Sequence, residues 1–261
     1  MRKQIYIWPL ALIVTGMLAF SCNVPKPEQK AKKITEKHNY IVLLDLSDRL
    51  IVQDNQPERD KEIINALYKL FEDRVRKNLY IKSRDEFKVV IAPQRGSGLQ
   101  KEVYEDRMYY NMEEIKNVFK QPQEKERREE FRNNLDSLYE EAVFSKNPER
   151  YYGADIWKYF YEDLKVDYVE DTLTENYLFI ITDGYPIVGK EQVKLQEVKD
   201  QFPDLHVILI EAAPREKDME WDRIMGIWEE WFNEIGVKEY TLIKRGALSK
   251  ELSQIRDVIQ E

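Results

Sequence analysis

The stretch that most constrains what this chain can fold into is Asn39–Leu50, NYIVLLDLSDRL. Five apolar residues, Tyr40 to Leu44, run unbroken into Asp45, Ser47 and Asp48. A half-exposed strand would alternate polar and apolar residues. An unbroken run with polar ends predicts a strand covered on both faces. Such strands lie in the middle of parallel sheets flanked by helices. The polar residues after the run then fall at the carboxyl edge of the sheet, where open α/β sheets bind ligands. Tyr177–Gly184, YLFIITDG, repeats the design and ends in Asp183. Two buried strands delivering carboxylates to one edge predict a small polar site for a cation or a partner group.

The rest of the chain supplies the helices. Ile63, Ile64, Leu67, Leu70 and Phe71 recur at helical spacing and predict a helix over 58–76. FKVVIA (87–92) predicts a second strand, stopped by Pro93. Residues 103–110 read as a third strand antiparallel to it, and 112–119 as a short helix. Residues 122–146 are dense in charge, yet Phe131, Leu135, Leu138, Tyr139 and Ala142 share one face. That pattern predicts a solvated amphipathic helix, or one that binds a partner. Helices over 155–164, 190–201, 218–235 and 248–259 alternate with strands over 177–182, 205–210 and 237–243. Trp221, Ile224, Met225, Trp228, Phe232 and Ile235 form a core-facing stripe, with Trp231 more exposed beside it. The alternation predicts an α/β fold: a mainly parallel central sheet with one antiparallel edge strand and helices on both faces, a Rossmann-like three-layer sandwich.

Composition excludes some functions. The 41 Lys+Arg stand against 49 Asp+Glu, and a net charge of -8 argues against a nucleic-acid partner. Sixteen Tyr, ten Phe and five Trp are enough aromatic volume to build a core, so wholesale disorder is excluded. The first residues read differently from the rest. Arg2 and Lys3 precede a mostly apolar 5–20, then Ser21 and Cys22. Residues 1–21 have the outline of a secretory signal. Cys22 is the only cysteine and can form no internal disulfide. A lone cysteine in this place resembles a bacterial lipoprotein signal, which implies that Cys22 becomes the first residue and carries the lipid. The usual signal has Leu three residues before the cysteine and a small residue two before it; Ala19 and Phe20 stand there. Residues 22–37, with Pro25, Pro27 and five Lys from Asn23 on, read as a tether, and 38–261 as the domain.

DLSDR after a buried strand, a Gly-led loop before a helix, and ITDG after a second buried strand together resemble a von Willebrand factor type A domain over about 38–261. The resemblance implies a metal-ion-dependent adhesion site. Its Asp-x-Ser-x-Ser ends the first strand, a Thr comes from a mid-chain loop, and an Asp follows the second strand. Such a site holds Mg²⁺ or Mn²⁺ and leaves one position for an acidic residue of a partner. Carboxylate and hydroxyl oxygens suit these hard cations. Asp45, Ser47 and Asp183 match the family's ligands. Arg49 stands in the second Ser place, and Ala154, after Gly153, in the Thr place. Neither offers a side-chain oxygen. Asp48, Asp155, Thr182 and Gly184 border the site. Two states stay open: a bound Mg²⁺ or Mn²⁺, or a degenerate site in which Asp45 and Asp183 are held by backbone N–H groups, water and Arg49. Arg49 is expected close to Asp45 or Asp183, as an internal substitute for the ion.

Other chemistries fit less well. A phosphatase of the haloacid dehalogenase type needs a carboxylate where Ser47 stands. No G-x-S-x-G elbow and no P-loop lysine occur. His38 and His206 are distant in sequence and show no carboxylate partner in the pattern. Gly96-Ser97-Gly98 opens no helix and reads as a hairpin loop rather than a phosphate cradle. Tyr151 and Tyr152 precede the presumed site loop. The expected function is non-catalytic binding of another envelope protein, by a domain lipid-anchored to the cell membrane or outer membrane and lying in the periplasm or at the cell surface. The alternatives are a hydrolase using Asp45 and Asp183, and a structural lipoprotein with a vestigial site.

Overall fold

The computed structural model describes residues 36–94, 98–116, 119, 121–145, 153–185, 198–213 and 218–260. The signal, Cys22, nearly all of the tether, Arg95–Ser97, Tyr151–Tyr152 and most of the helix expected over 190–201 lie outside them.

Six strands form one sheet in the order β3-β2-β1-β4-β5-β6. β1 (Lys37–Leu44), β2 (Glu86–Ile91), β4 (Thr174–Ile181), β5 (Leu205–Ala212) and β6 (Glu239–Lys244) are parallel; β3 (Tyr109–Asn111) is the antiparallel edge. The strand order reverses between β1 and β4, so their carboxyl ends flank the crevice where doubly wound sheets place ligands. β1 takes in Lys37, one residue earlier than the expected tether boundary.

The helices are α1 (Arg49–Val52), α2 (Gln56–Lys77), α3 (Lys101–Arg107), α4 (Glu124–Phe144), α5 (Ile156–Glu162), α6 (Leu164–Asp167), α7 (Asp218–Glu234) and α8 (Leu248–Gln260). Strand periodicity divides the apolar residues between two cores. Tyr40, Val42 and Leu44 join Phe179 and Ile181 under α2 and α4. Ile41 and Leu43 join Leu178, Ile180 and Val207 under α5 and α7. Val42, Leu43, Leu44, Phe179, Ile180 and Val207 are all buried central-strand residues, as the apolar runs predict.

Four expectations fail. Residues 101–107 are helical and only Tyr109–Asn111 pairs with β2. The helix lets the Glu105 carboxylate accept the Ile91 N–H at 2.7 Å, capping an edge that no strand covers. This helix also follows the glycine loop that was expected to open none. Of the helix expected over 112–119, residues 112–115 turn instead, because the Asn111 side chain accepts the Glu113 N–H at 2.9 Å, an Asx-type bond that competes with a helix; Phe119 is helical, and 117–118 lie outside the described residues. Trp231 is buried, its ring centroid 3.9 Å from that of Trp157.

Candidate functional site

Asp45 follows β1 and Thr182-Asp183 follows β4, so the two apolar runs deliver them to the switch point. Each oxygen of the Asp45 carboxylate accepts a hydrogen bond from the protein itself. Oδ1 accepts the Ser47 N–H at 2.9 Å, and Oδ2 accepts the Thr182 hydroxyl at 2.9 Å. The Arg49 Nε lies 3.8 Å from Oδ2 and donates to the Asp45 carbonyl at 2.8 Å. Asp48 precedes α1, and its carbonyl accepts from Ile51 and Val52.

Arg49 is 1% exposed. Its Nη2 donates to Asp60 Oδ2 at 2.5 Å and to the Ile181 carbonyl at 3.2 Å. The guanidinium therefore fastens the ends of β1 and β4 to α2. Burial works against its charge, but Asp60, then Asp45, outweigh this and hold it protonated; Asp183 adds to the same field. Asp60 behaves differently. Burial pushes its carboxyl up to about 6, although Arg49 and the Gln56 hydrogen bond pull it down. We take this pair as ionised at neutral pH, since about 6 lies below 7.

The remaining expected residues are near the edge but not all in the cluster. Ala154 pairs by one bridge with Gln94, beyond the end of β2, with Gly153 buried before it. The Asp155 carboxylate caps α5 by accepting the Lys158 N–H at 3.0 Å, so it is not turned to replace a missing ligand. Asp183 Oδ1 accepts the Tyr185 N–H at 3.2 Å. Gly184, at φ 98°, turns its carbonyl to the Trp228 Nε1–H at 3.0 Å.

These residues do not fit the divalent cation that the resemblance implies. Both Asp45 oxygens already accept hydrogen bonds, Ala154 supplies no oxygen, and a buried guanidinium occupies the place of a ligand. Arg49 Nη1 is buried without a hydrogen-bond partner, an orphaned donor that suits an acceptor and opposes a cation.

Sequence patterns missed the continuation of this cluster. Gln56 Nε2 donates to Asp60 at 2.7 Å and to Glu211 at 3.2 Å. Arg59 Nη2 bonds Glu211 at 2.5 Å and Glu251 at 3.0 Å. Arg245 donates to Gln56, and to Gln53 at 2.6 Å. Glu211 sits at a register shift in β5 with φ 69°, a backbone state that L side chains adopt at a cost. His206 is a strand residue, and both histidines have a carboxylate beside them that the sequence pattern did not show. His38 lies 3.1 Å from Glu175 and His206 3.3 Å from Glu239, and both rings pack on Tyr177.

Glu211 and Glu251 share the Arg59 guanidinium. Burial and then the hydrogen bond to Glu211 push Glu251 up to about 7. Burial opposes the ionisation of Glu211, but hydrogen bonds led by Arg59 hold its carboxyl below the ordinary value. Groups raised in the fold bind protons more tightly there than in the unfolded chain. Their contribution to stability is complete below the unfolded values, and is lost as pH rises through about 6 for Asp60 and about 7 for Glu251. From about pH 5 to about pH 8, Glu251 should remove on the order of 1–2 kcal/mol. Glu251→Gln should flatten that slope. Thermal unfolding of both chains across the range checks it; an unchanged slope would place the titration elsewhere.

A cavity of about 750 Å³ opens beside this cluster, between the start of α2 and the end of α4. Pro57, Tyr104, Val143 and Phe144 line it, with Glu58, Glu140 and Glu141. Phe144 is 92% exposed. Lys61, the cation of the lining, is tied to Asp136 at 3.0 Å. Tyr139 lines the cavity and donates its hydroxyl to Asp60 at 3.1 Å, which joins the groove to the Arg49 cluster.

No protein-family model matches this chain, and neither curated proteins nor solved structures match it.

Proposed function

We propose that this chain is a membrane-tethered, non-catalytic binding domain of von Willebrand type A character, which engages another envelope protein through the carboxyl edge of its sheet. The observation that carries this is the groove lined by Pro57, Tyr104, Val143 and the 92% exposed Phe144, beside a site whose Arg49 is bonded within the protein. A large aromatic held in water next to a concave apolar surface is what a docking face offers. The Asp45 carboxylate is occupied by structural hydrogen bonds, which speaks against its use on a substrate. The anchor is Cys22, by the likeness of residues 1–22 to a lipoprotein signal.

The partner chemistry departs from that of the resembling family. There an acidic partner residue completes the coordination of the ion. Here Arg49 stands in for the ion and is buried, while Glu58, Glu140 and Glu141 rim the groove. That rim favours a partner segment with an apolar side chain flanked by Lys or Arg. A photoreactive residue placed at Glu140 in intact cells should crosslink one discrete protein. Phe144→Ser should cut the yield at least tenfold. Equal yields from the two chains would sink the groove as the docking face.

A further inference from the structure

We propose that the turn at residues 78–82 is a lipid-contacting loop that seats the domain on the bilayer to which it is tethered. This rests on the assignment of Cys22 as the anchor.

Topology puts the turn at the edge where the chain enters the sheet. β1 begins at Lys37, and the chain arrives there from Cys22. α2 returns from the carboxyl edge, so its last residue, Lys77, lies at the amino edge where β1 starts. The turn follows α2 and leads into β2, whose Glu86 is in register with Asn39. The His38 N–H donates to Asp85 at 2.8 Å, which fixes the end of the turn beside the incoming chain. Fourteen residues, 23–36, separate Cys22 from β1. Fully extended, that many residues reach at most about 50 Å, which bounds how far the amino edge can stand from an anchor at Cys22.

The turn itself is built to expose aliphatic side chains. Leu79 and Tyr80 both have φ 52°, two consecutive non-glycine residues in the left-handed region. Each is disfavoured for an L residue. Backbone bonds from Leu79 N to Arg76 O and from Tyr80 N to Val75 O, both 3.0 Å, hold them there. Tyr80 is thereby turned in against the core under α2. Leu79 and Ile81 are turned out, 66% and 61% exposed. A strained backbone that half-buries the polar-tipped ring and displays two aliphatic residues is poorly explained by contact with water alone.

The charges around the turn favour a lipid surface. Arg76 is paired with Asp73 and Glu124, and Arg84 with Glu36 and Glu113. Those pairs use up acidic groups at this edge. Lys77 and Lys82 flank the aliphatic tip, and both are exposed. Aliphatic side chains with lysines behind them match the acyl and phosphate layers of a bilayer.

The test uses the full chain, recovered with membranes and reconstituted in phosphatidylethanolamine–phosphatidylglycerol vesicles. Acylation blocks Cys22, so Leu79→Cys gives a single thiol for an environment-sensitive fluorophore. A second chain, Val52→Cys, carries the dye at an exposed position of the carboxyl edge. The expected result is a blue-shifted dye at position 79, quenched by spin-labelled lipid several-fold more than the dye at 52. Ile81→Cys repeats the measurement should Leu79→Cys not fold. Equal quenching at the two edges, or a water-like dye at 79 in a chain that stays with membranes, overturns the loop and leaves the anchor standing. A blue shift that spin-labelled lipid does not quench points to a protein partner and overturns it too. Recovery of the unsubstituted chain free of membranes overturns the anchor and the loop together.

Discussion

Replacing Arg49 with alanine is expected to lower folding stability by about 3–5 kcal/mol, the usual cost of removing one partner of a buried ion pair. The guanidinium is enclosed and bonds Asp60, the Asp45 carbonyl and the Ile181 carbonyl at once. Without it Asp60 becomes a buried anion short of its main counter-charge, and the ends of β1 and β4 lose their common donor. Lysine cannot restore the three bonds, since it is a point charge without a planar fork. Arg49→Lys should therefore rescue little. Arg49→Ala combined with Asp60→Asn should recover part of the loss, because the unpaired charge is gone while the Asn oxygen still accepts from Gln56 and its NH2 can donate to the Tyr139 hydroxyl. Urea unfolding of the four chains decides the matter. A loss below about 1 kcal/mol in Arg49→Ala would put the pair in the class of exposed salt bridges.

Trp228→Ala carries the second large effect, also about 3–5 kcal/mol, from the cavity left by a buried ring. Trp228 packs beside Trp231, Phe232 and Phe160 in the core under α5 and α7. Its indole also donates to the Gly184 carbonyl, which fixes the turn after Asp183. Trp228→Phe keeps most of the packing and drops that bond, so it should cost only about 1–2 kcal/mol. The two variants separate core volume from site geometry. If Trp228→Phe were as unstable as Trp228→Ala, the hydrogen bond rather than the ring would be the main contribution.

The fold was legible because central parallel strands need continuous apolar runs, and few other elements do. That one rule placed β1, β4 and β5 and delivered Asp45, Thr182 and Asp183 to the edge. The same rule would have flagged Glu211, which ends the run LHVILI. It was passed over because no family motif drew attention to it. Asp60 and Gln56 were not legible. They lie in the first turns of α2 among charged neighbours and read as a solvated face, yet that end of the helix overhangs the strand ends. The contact of Arg59 with Glu251, 192 residues away, leaves no local pattern at all. The wrong third strand has a local cause. Residues 101–107 became a helix because a glutamate there could reach an unpaired strand N–H, a tertiary gain invisible to propensity.

The charged chain from Arg49 through Asp60, Gln56 and Glu211 to Arg59 ends on Glu251, in the first turn of the last helix. The network therefore closes only when segments 192 residues apart in the chain have met. Arg59 and Glu211 bond each other without it, and Glu251 adds the group that ties α8 to the strand ends. Contacts of that separation form slowly, so the docking of α8 on the strand ends is expected to be a late step of folding.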